Sequence, residues 1–124
     1  MYEVAVKRSF SAAHILKEIG GRCEELHGHN FAVEVSIAVD DLNRLGLAID
    51  FRVLKEWVED ILETLDHKYL NDIKYFKDVN PSAENIARFI YEGIAEKAHL
   101  QRVRVSQVIV WESDNAKVSY TGEK

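Results

Sequence analysis

The chain has 124 residues, enough for one domain with a sizeable core and too few to divide in two, so a single domain over 1–124 is expected. Apolar residues make up 47% and charged residues 30%, the balance of a soluble globular protein, which excludes a disordered or membrane-embedded chain. A total of 16 Lys and Arg against 21 Asp and Glu leaves a net charge of -5 without a basic run, which argues against nucleic acid as a partner. A few local cations would still suffice for one phosphorylated small molecule.

From Tyr2 the residues alternate, with Val4, Val6, Phe10, Ala12 and His14 on one parity and Glu3, Lys7, Ser9 and Ser11 on the other, which predicts a strand. Arg8 on the apolar parity suggests a bulge. Met1 leads straight into this strand without a basic start, an apolar stretch and a cleavage site, so a cytoplasmic location is the expectation. A loop from about Lys17 to Leu26, broken by Gly20 and Gly21, precedes a second strand in which Phe31, Val33, Val35, Ile37 and Val39 alternate with small or polar residues. The period then lengthens to about 3.6: Val53, Leu54, Trp57, Val58, Ile61, Leu62 and Leu65 form one helical stripe, with Asp50 as N-cap. A second helix is expected from Asn80-Pro81, cap then first-turn proline, with Ala83, Ile86, Ala87, Ile90, Ile94 and Ala98 on one face. Strands over Val103–Trp111 and Ala116–Tyr120 complete an α+β order of ββααββ. The large apolar parity of the second strand suits a floor for both helices. The opposite parity (Ala32, Ser36, Ala38, with Ala5 and Ser9) is small and semi-polar, which suits the lining of a barrel completed by neighbouring subunits.

His27-Gly28-His29 stands immediately before the second strand. In an extended chain, residues i and i+2 point the same way about 6.5–7 Å apart, so both imidazoles can reach one ion. His14, at the end of the first strand, supplies a third nitrogen if the two strands are neighbours. Three histidines with an open fourth position is the arrangement of a catalytic zinc. An HxH pair by itself is as readily an accident. The lone Cys23 sits in the glycine-broken loop four residues before His27, where a nearby cation would favour the thiolate. An inert thiol and a fourth metal ligand are the alternatives. Asp66-His67 follows the last apolar turn of the first helix, and a carboxylate beside an imidazole orients it for proton transfer, although a solvated charged pair at a helix end reads the same way. Glu112 interrupts an apolar strand at its end, where it either marks solvent or offers an acceptor to a planar pair of N–H donors. His99, at the end of the second helix, reads as a surface or helix-dipole residue.

Cys23-Glu24-Glu25-Leu26-His27-Gly28-His29-Asn30 resembles the CxxxHGHN signature of the 6-pyruvoyl/6-carboxytetrahydropterin synthase family. Phe10-Ser11-Ala12-Ala13-His14 is similar to its FSAAH strand, Gly46 to Phe51 to its GMVxDF, Leu65 to Asn71 to its LDHxxLN, and Asn80 to Asn85 to its NPTxEN, in the family's order across nearly the whole chain. The resemblance implies the tunnelling fold: a four-stranded antiparallel sheet with two helices on one face, joined between subunits into a barrel, commonly as a homohexamer of two trimers. It implies Zn2+ on His14, His27 and His29, Cys23 as proton acceptor, Asp66 and His67 as relay, Glu112 as pterin anchor and Glu84 near the pterin pocket. The implied substrate is 7,8-dihydroneopterin triphosphate. A chain this short with the plain CxxxHGHN loop looks like the 6-carboxy branch, which releases triphosphate and acetaldehyde and feeds 7-deazaguanine nucleoside synthesis. The pyruvoyl branch shares every residue named. A non-catalytic zinc-binding assembly module, with Cys23 on the metal, is the reading from another class. An aldolase of the same fold acting on unphosphorylated dihydroneopterin would not need three histidines. Lys17, Arg22 and Lys68 are candidate triphosphate contacts that the sequence does not rank.

Overall fold

The computed structural model describes residues 1–18 and 25–122, so Cys23 and Arg22 lie outside the described residues. β1 (Tyr2–His14) and β2 (His27–Val39) pair antiparallel in one unbroken register, from Tyr2 opposite Val39 to His14 opposite His27. β2 therefore starts earlier than its apolar alternation indicates, because ladder pairing carries on through His27-Gly28-His29. The bulge expected at Arg8 is absent. Arg8 stays in register opposite Val33, and its long stem carries the guanidinium off the sheet to Glu59 at 3.2 Å.

α1 (Phe51–Glu63) is capped as expected, the Asp50 carboxylate accepting from the Arg52 N–H at 2.8 Å. α2 (Ala83–Leu100) is capped by Ser82, whose hydroxyl accepts from the Asn85 N–H at 3.1 Å, and not by Asn80. The reason is competition: the Asn80 amide is already committed to the backbone of Lys17, accepting from its N–H at 2.8 Å and donating to its carbonyl at 2.9 Å.

Among the described residues the sheet has five strands, where the resemblance implied four. The addition is β3 (Lys68–Tyr69), two residues parallel to Ala12 and Ala13 on the outer edge of β1, too short to leave a periodic trace in the sequence. β4 (Arg104–Ser113) and β5 (Ala116–Tyr120) complete the order β3-β1-β2-β4-β5, with a register shift between β2 and β4 at Ser36/Ile37. From Tyr2 to Phe10, β1 has no strand partner on its outer side among the described residues.

Both helices lie on one face. Phe31, Val33, Val35 and Ile37 of β2 and Val108 and Val110 of β4 are fully buried with Leu54, Val58, Ile86, Ile90 and Ile94 of the helices, each worth about 1.5–3 kcal/mol relative to exposure. On the opposite face Ala5, Ser9, Ala32 and Ser36 are small, as expected, but Lys7 stands opposite Glu34 midway along the β1–β2 pair and β4 adds Ile109 and Trp111. Lys7 and Lys117 place their ammonium groups 4.3 and 5.5 Å from the Trp111 ring. Among the described residues, no helix is long and apolar enough to cross a membrane.

Candidate metal centre

The unbroken β1–β2 register decides the site. His14, the last residue of β1, faces His27, the first of β2, and His29 follows on the same side of β2, so three imidazoles converge at one end of the sheet on the helix-bearing face. Ring centroids lie 4.4 Å apart for His14 and His27, 5.3 Å for His14 and His29, and 4.9 Å for His27 and His29. Two of the rings are held by backbone carbonyls. Nδ1 of His14 is 2.7 Å from the Pro81 carbonyl, and Nδ1 of His27 is 2.7 Å from that of Glu25. A carbonyl only accepts, so each Nδ1 carries the proton and each Nε2 is left with its lone pair, the usual preparation of a metal-binding imidazole. Burial drives the pKa of His14 below the ordinary imidazole value, partly opposed by the Pro81 carbonyl, and the neighbouring histidines push it further down. It is neutral at pH 7, as a ligand must be.

The fourth member is Glu112. The sequence suggested an anchor for a planar ligand. The structure brings its Oε1 to 3.0 Å from Nε2 of His29 and 3.7 Å from Nε2 of His14. One ligand atom from each of His14, His27, His29 and Glu112 lies within 4.8 Å of the other three. Parity held the clue: Val108, Val110 and Glu112 alternate along β4, on the same side as the core residues of β2. The Nε2 atoms of His14 and His29 are buried without a hydrogen-bond partner among the described residues. Two buried, unpartnered ring nitrogens beside a carboxylate could hold a cation, and the chemistry of three imidazoles and one carboxylate fits zinc.

Asp66 and His67 are built separately. The Asp66 carboxylate accepts from the Ser11 N–H at 2.9 Å, and the His67 N–H donates to the Ser11 carbonyl at 2.6 Å. This grip holds His67 at φ 58°, a left-handed conformation that a non-glycine residue adopts at some cost. The Ser11 N–H, before the adjacent His67, lowers the Asp66 pKa, and Asp66 Oδ2 lies 3.0 Å from His67 Nδ1. The His67 ring is 81% exposed, outside the histidine cluster. It borders an open cavity of about 530 Å3 that His29 of the cluster lines too, with Ala12, Gly28, Asn30 and Tyr69. Lys68 lines the same cavity. Lys17 lines another, of about 520 Å3, beside Asn71 and Asn80. Glu84 is exposed in the first turn of α2, three residues beyond the Pro81 carbonyl that holds His14. His99 is exposed in the last turn of α2.

The sequence pattern of 6-pyruvoyl tetrahydropterin synthase matches residues 3–123. A 6-carboxy-5,6,7,8-tetrahydropterin synthase of Synechocystis sp. is 37% identical over 101 residues, 77% of each chain. A dihydroneopterin monophosphate aldolase of Pyrococcus furiosus is 36% identical over 111 residues, 90% of each chain. The solved 6-pyruvoyl tetrahydropterin synthase of Caenorhabditis elegans superposes with a TM-score of 0.79 at 27% identity, over 99% of this chain and 98% of that one. A motif set in order along the chain, a matching fold and a pattern spanning almost every residue agree: the chain belongs to the 6-pyruvoyl tetrahydropterin synthase family.

Proposed function

We propose that the protein is a zinc-dependent lyase that converts 7,8-dihydroneopterin triphosphate to 6-carboxy-5,6,7,8-tetrahydropterin, releasing acetaldehyde and triphosphate toward 7-deazaguanine synthesis. The observation that carries the reading is the convergence of His14, His27, His29 and Glu112, one ligand atom of each within 4.8 Å of the others, with Nε2 of His14 and His29 buried and unpartnered among the described residues. His14, His27 and His29 would hold Zn2+. The chemistry supplied there is Lewis-acid polarisation of side-chain hydroxyls, which lowers their pKa and stabilises charge as a carbon-bound proton leaves. Cys23 takes that proton. Glu112 and Glu84 hold the pterin edge, each an acceptor matched to planar N–H donors. His67, oriented by Asp66, moves protons between substrate oxygens and carbons.

His67 lies outside its own chain's cluster yet shares a cavity with His29, so it needs a metal centre within reach, its own or a neighbouring subunit's. A homohexamer of two trimers, closing the free edge of β1 against another copy, meets this need in a cytoplasmic enzyme. Incubating the protein with 7,8-dihydroneopterin triphosphate tests the whole: acetaldehyde with triphosphate supports the 6-carboxy reaction, and triphosphate alone the pyruvoyl one. A second reading, aldol cleavage of a dihydroneopterin phosphate, is favoured by the likeness to the Pyrococcus furiosus aldolase. It predicts a two-carbon hydroxyaldehyde that keeps its phosphate. A non-catalytic zinc module predicts no turnover and a Cys23 that resists alkylation in the zinc-loaded protein.

A further inference from the structure

We propose that the cavity of about 530 Å3 beside His67 holds the phosphate tail of the substrate, with the Lys68 ammonium as its cation and the Asn30 amide as a neutral donor; this rests on the reading of the substrate as a phosphate ester. The protein carries a net charge of -5, so most of its surface repels such an anion, and binding depends on a cation that has no carboxylate beside it. Three other cavities among the described residues fail this condition. One of about 780 Å3, at the end of the sheet away from the histidines, sets Asp40, Asp41 and Asp50 against Arg102 and Arg104, and Arg104 is paired with Asp40 at 3.4 Å. One of about 190 Å3 holds Arg8, paired with Glu59 at 3.2 Å, beside Glu63 and Asp66. The cavity of about 520 Å3 that takes Lys17 and Lys77 also takes Glu18, Asp72 and Asp78.

The cavity beside His67 differs in kind. No Asp or Glu is among its lining residues, and Lys68 makes no ion pair with any described residue. Asp66 and Glu112 approach His67 and His29, each at 3.0 Å, but neither lines the cavity. Asn30 adds two donors: Ser11 Oγ donates to Asn30 Oδ1 at 2.5 Å, which fixes the amide with its NH2 free, and no described residue accepts from that NH2. The fold sets Lys68 here by backbone pairing. Lys68 directly follows His67, and β3 pins it parallel to Ala12 on the edge of β1. His29 and His67 border the same cavity, so a substrate that meets either one presents its tail to Lys68. Of the lysines open to this role, the structure thus favours Lys68 over Lys17.

The test uses full-length, zinc-loaded wild type, Lys68→Gln, Lys68→Arg and Lys17→Ala. Inorganic triphosphate and unphosphorylated 7,8-dihydroneopterin are titrated separately by calorimetry, with zinc content checked afterwards, and kcat/KM is measured for 7,8-dihydroneopterin triphosphate. Lys68→Gln should bind inorganic triphosphate roughly 10-fold or more weakly and lose kcat/KM by a similar factor, with its affinity for dihydroneopterin unchanged. Lys68→Arg keeps a cation and should recover most of both losses, and Lys17→Ala should match wild type throughout. Wild-type triphosphate affinity and kcat/KM in Lys68→Gln overturn the inference, as do the same losses appearing in Lys17→Ala instead. Weaker binding of inorganic triphosphate at unchanged kcat/KM makes this a site for the free anion and not for the substrate tail, which also overturns it. So does a Lys68→Gln protein that loses dihydroneopterin as well, since a whole pocket and not one charge contact has then been disturbed. Wild type that binds triphosphate through Lys68 yet turns over no 7,8-dihydroneopterin triphosphate refutes the proposed reaction and leaves Lys68 as an anion contact.

Discussion

Asn71→Ala should destabilise the metal-free protein by about 2 kcal/mol, although Asn71 is neither in the core nor a candidate ligand. Its amide closes a ring with one residue, accepting from the Ile15 N–H at 2.9 Å and donating to the Ile15 carbonyl at 3.0 Å. Ile15 directly follows His14, so this ring, with the matching one from Asn80 to Lys17, fixes the path of the chain as it leaves the site. Each neutral hydrogen bond is worth about 0.5–1.5 kcal/mol net, and both backbone groups are half-buried, so two lost bonds cost about 1–3 kcal/mol. For a domain of this size that is roughly 4 °C of Tm per kcal/mol. Asn71→Asp sharpens the test. Its carboxylate keeps the acceptor for the Ile15 N–H but sets negative charge against the carbonyl, which raises the carboxyl's folded-state pKa above the unfolded one. The penalty is then fully present above the folded value and shrinks as pH falls through it, because the protonated acid regains a donor. Urea unfolding of the chelator-treated proteins at fixed concentration, at pH 7 and near pH 5, reads both effects. An alanine variant within about 0.5 kcal/mol of wild type, or an Asp variant that does not recover in acid, would refute the reasoning.

Asp66→Asn should lower kcat roughly 100-fold at unchanged zinc content, because its amide oxygen can still accept from Ser11 while its NH2 confronts His67 and forces the wrong tautomer; steady-state kinetics with metal analysis checks this. The lowered pKa of Asp66 means that its stabilisation is present above the unfolded value of about 3.9 and is lost as pH falls through the lower folded one, so Asp66→Asn should flatten the acid limb of the stability curve below about pH 4. Ser82→Ala should cost about 1 kcal/mol by uncapping α2, read from urea midpoints, whereas Asn80→Ala should leave the capping bond intact. Cys23→Ala should retain full zinc while losing triphosphate release, and retention of turnover would remove Cys23 as the base. Glu84→Gln should raise KM for the pterin with little change in zinc affinity, and an unchanged KM would exclude Glu84 from the pocket.

Much of the fold was legible because its signals are local. Alternation along β1 and β2, the 3.6 period of α1 and α2, and the Asp50 cap depend on neighbours a few residues away, and each element is present, although β2 begins earlier and α2 later than the pattern placed them. Failures came where a distant partner outbid a local preference. Asn80 is a good N-cap whose amide was taken by Lys17, Arg8 stayed in a straight strand because Glu59 of α1 was within reach, and β3 exists only because Ala12 and Ala13 offer a free edge.

The sequence by itself determined the family, the helix-bearing face and the three imidazoles, since HxH spacing in an extended chain puts two rings on one side whatever surrounds them. Only the tertiary structure decided which nitrogen of His14 is free, because the Pro81 carbonyl that settles it comes from the start of a helix 67 positions on. The same holds for Glu112 beside His29 and for His67 outside the cluster. Side-chain direction follows from local periodicity, whereas proximity across strands and helices depends on register and packing, and these settle only when the whole core closes.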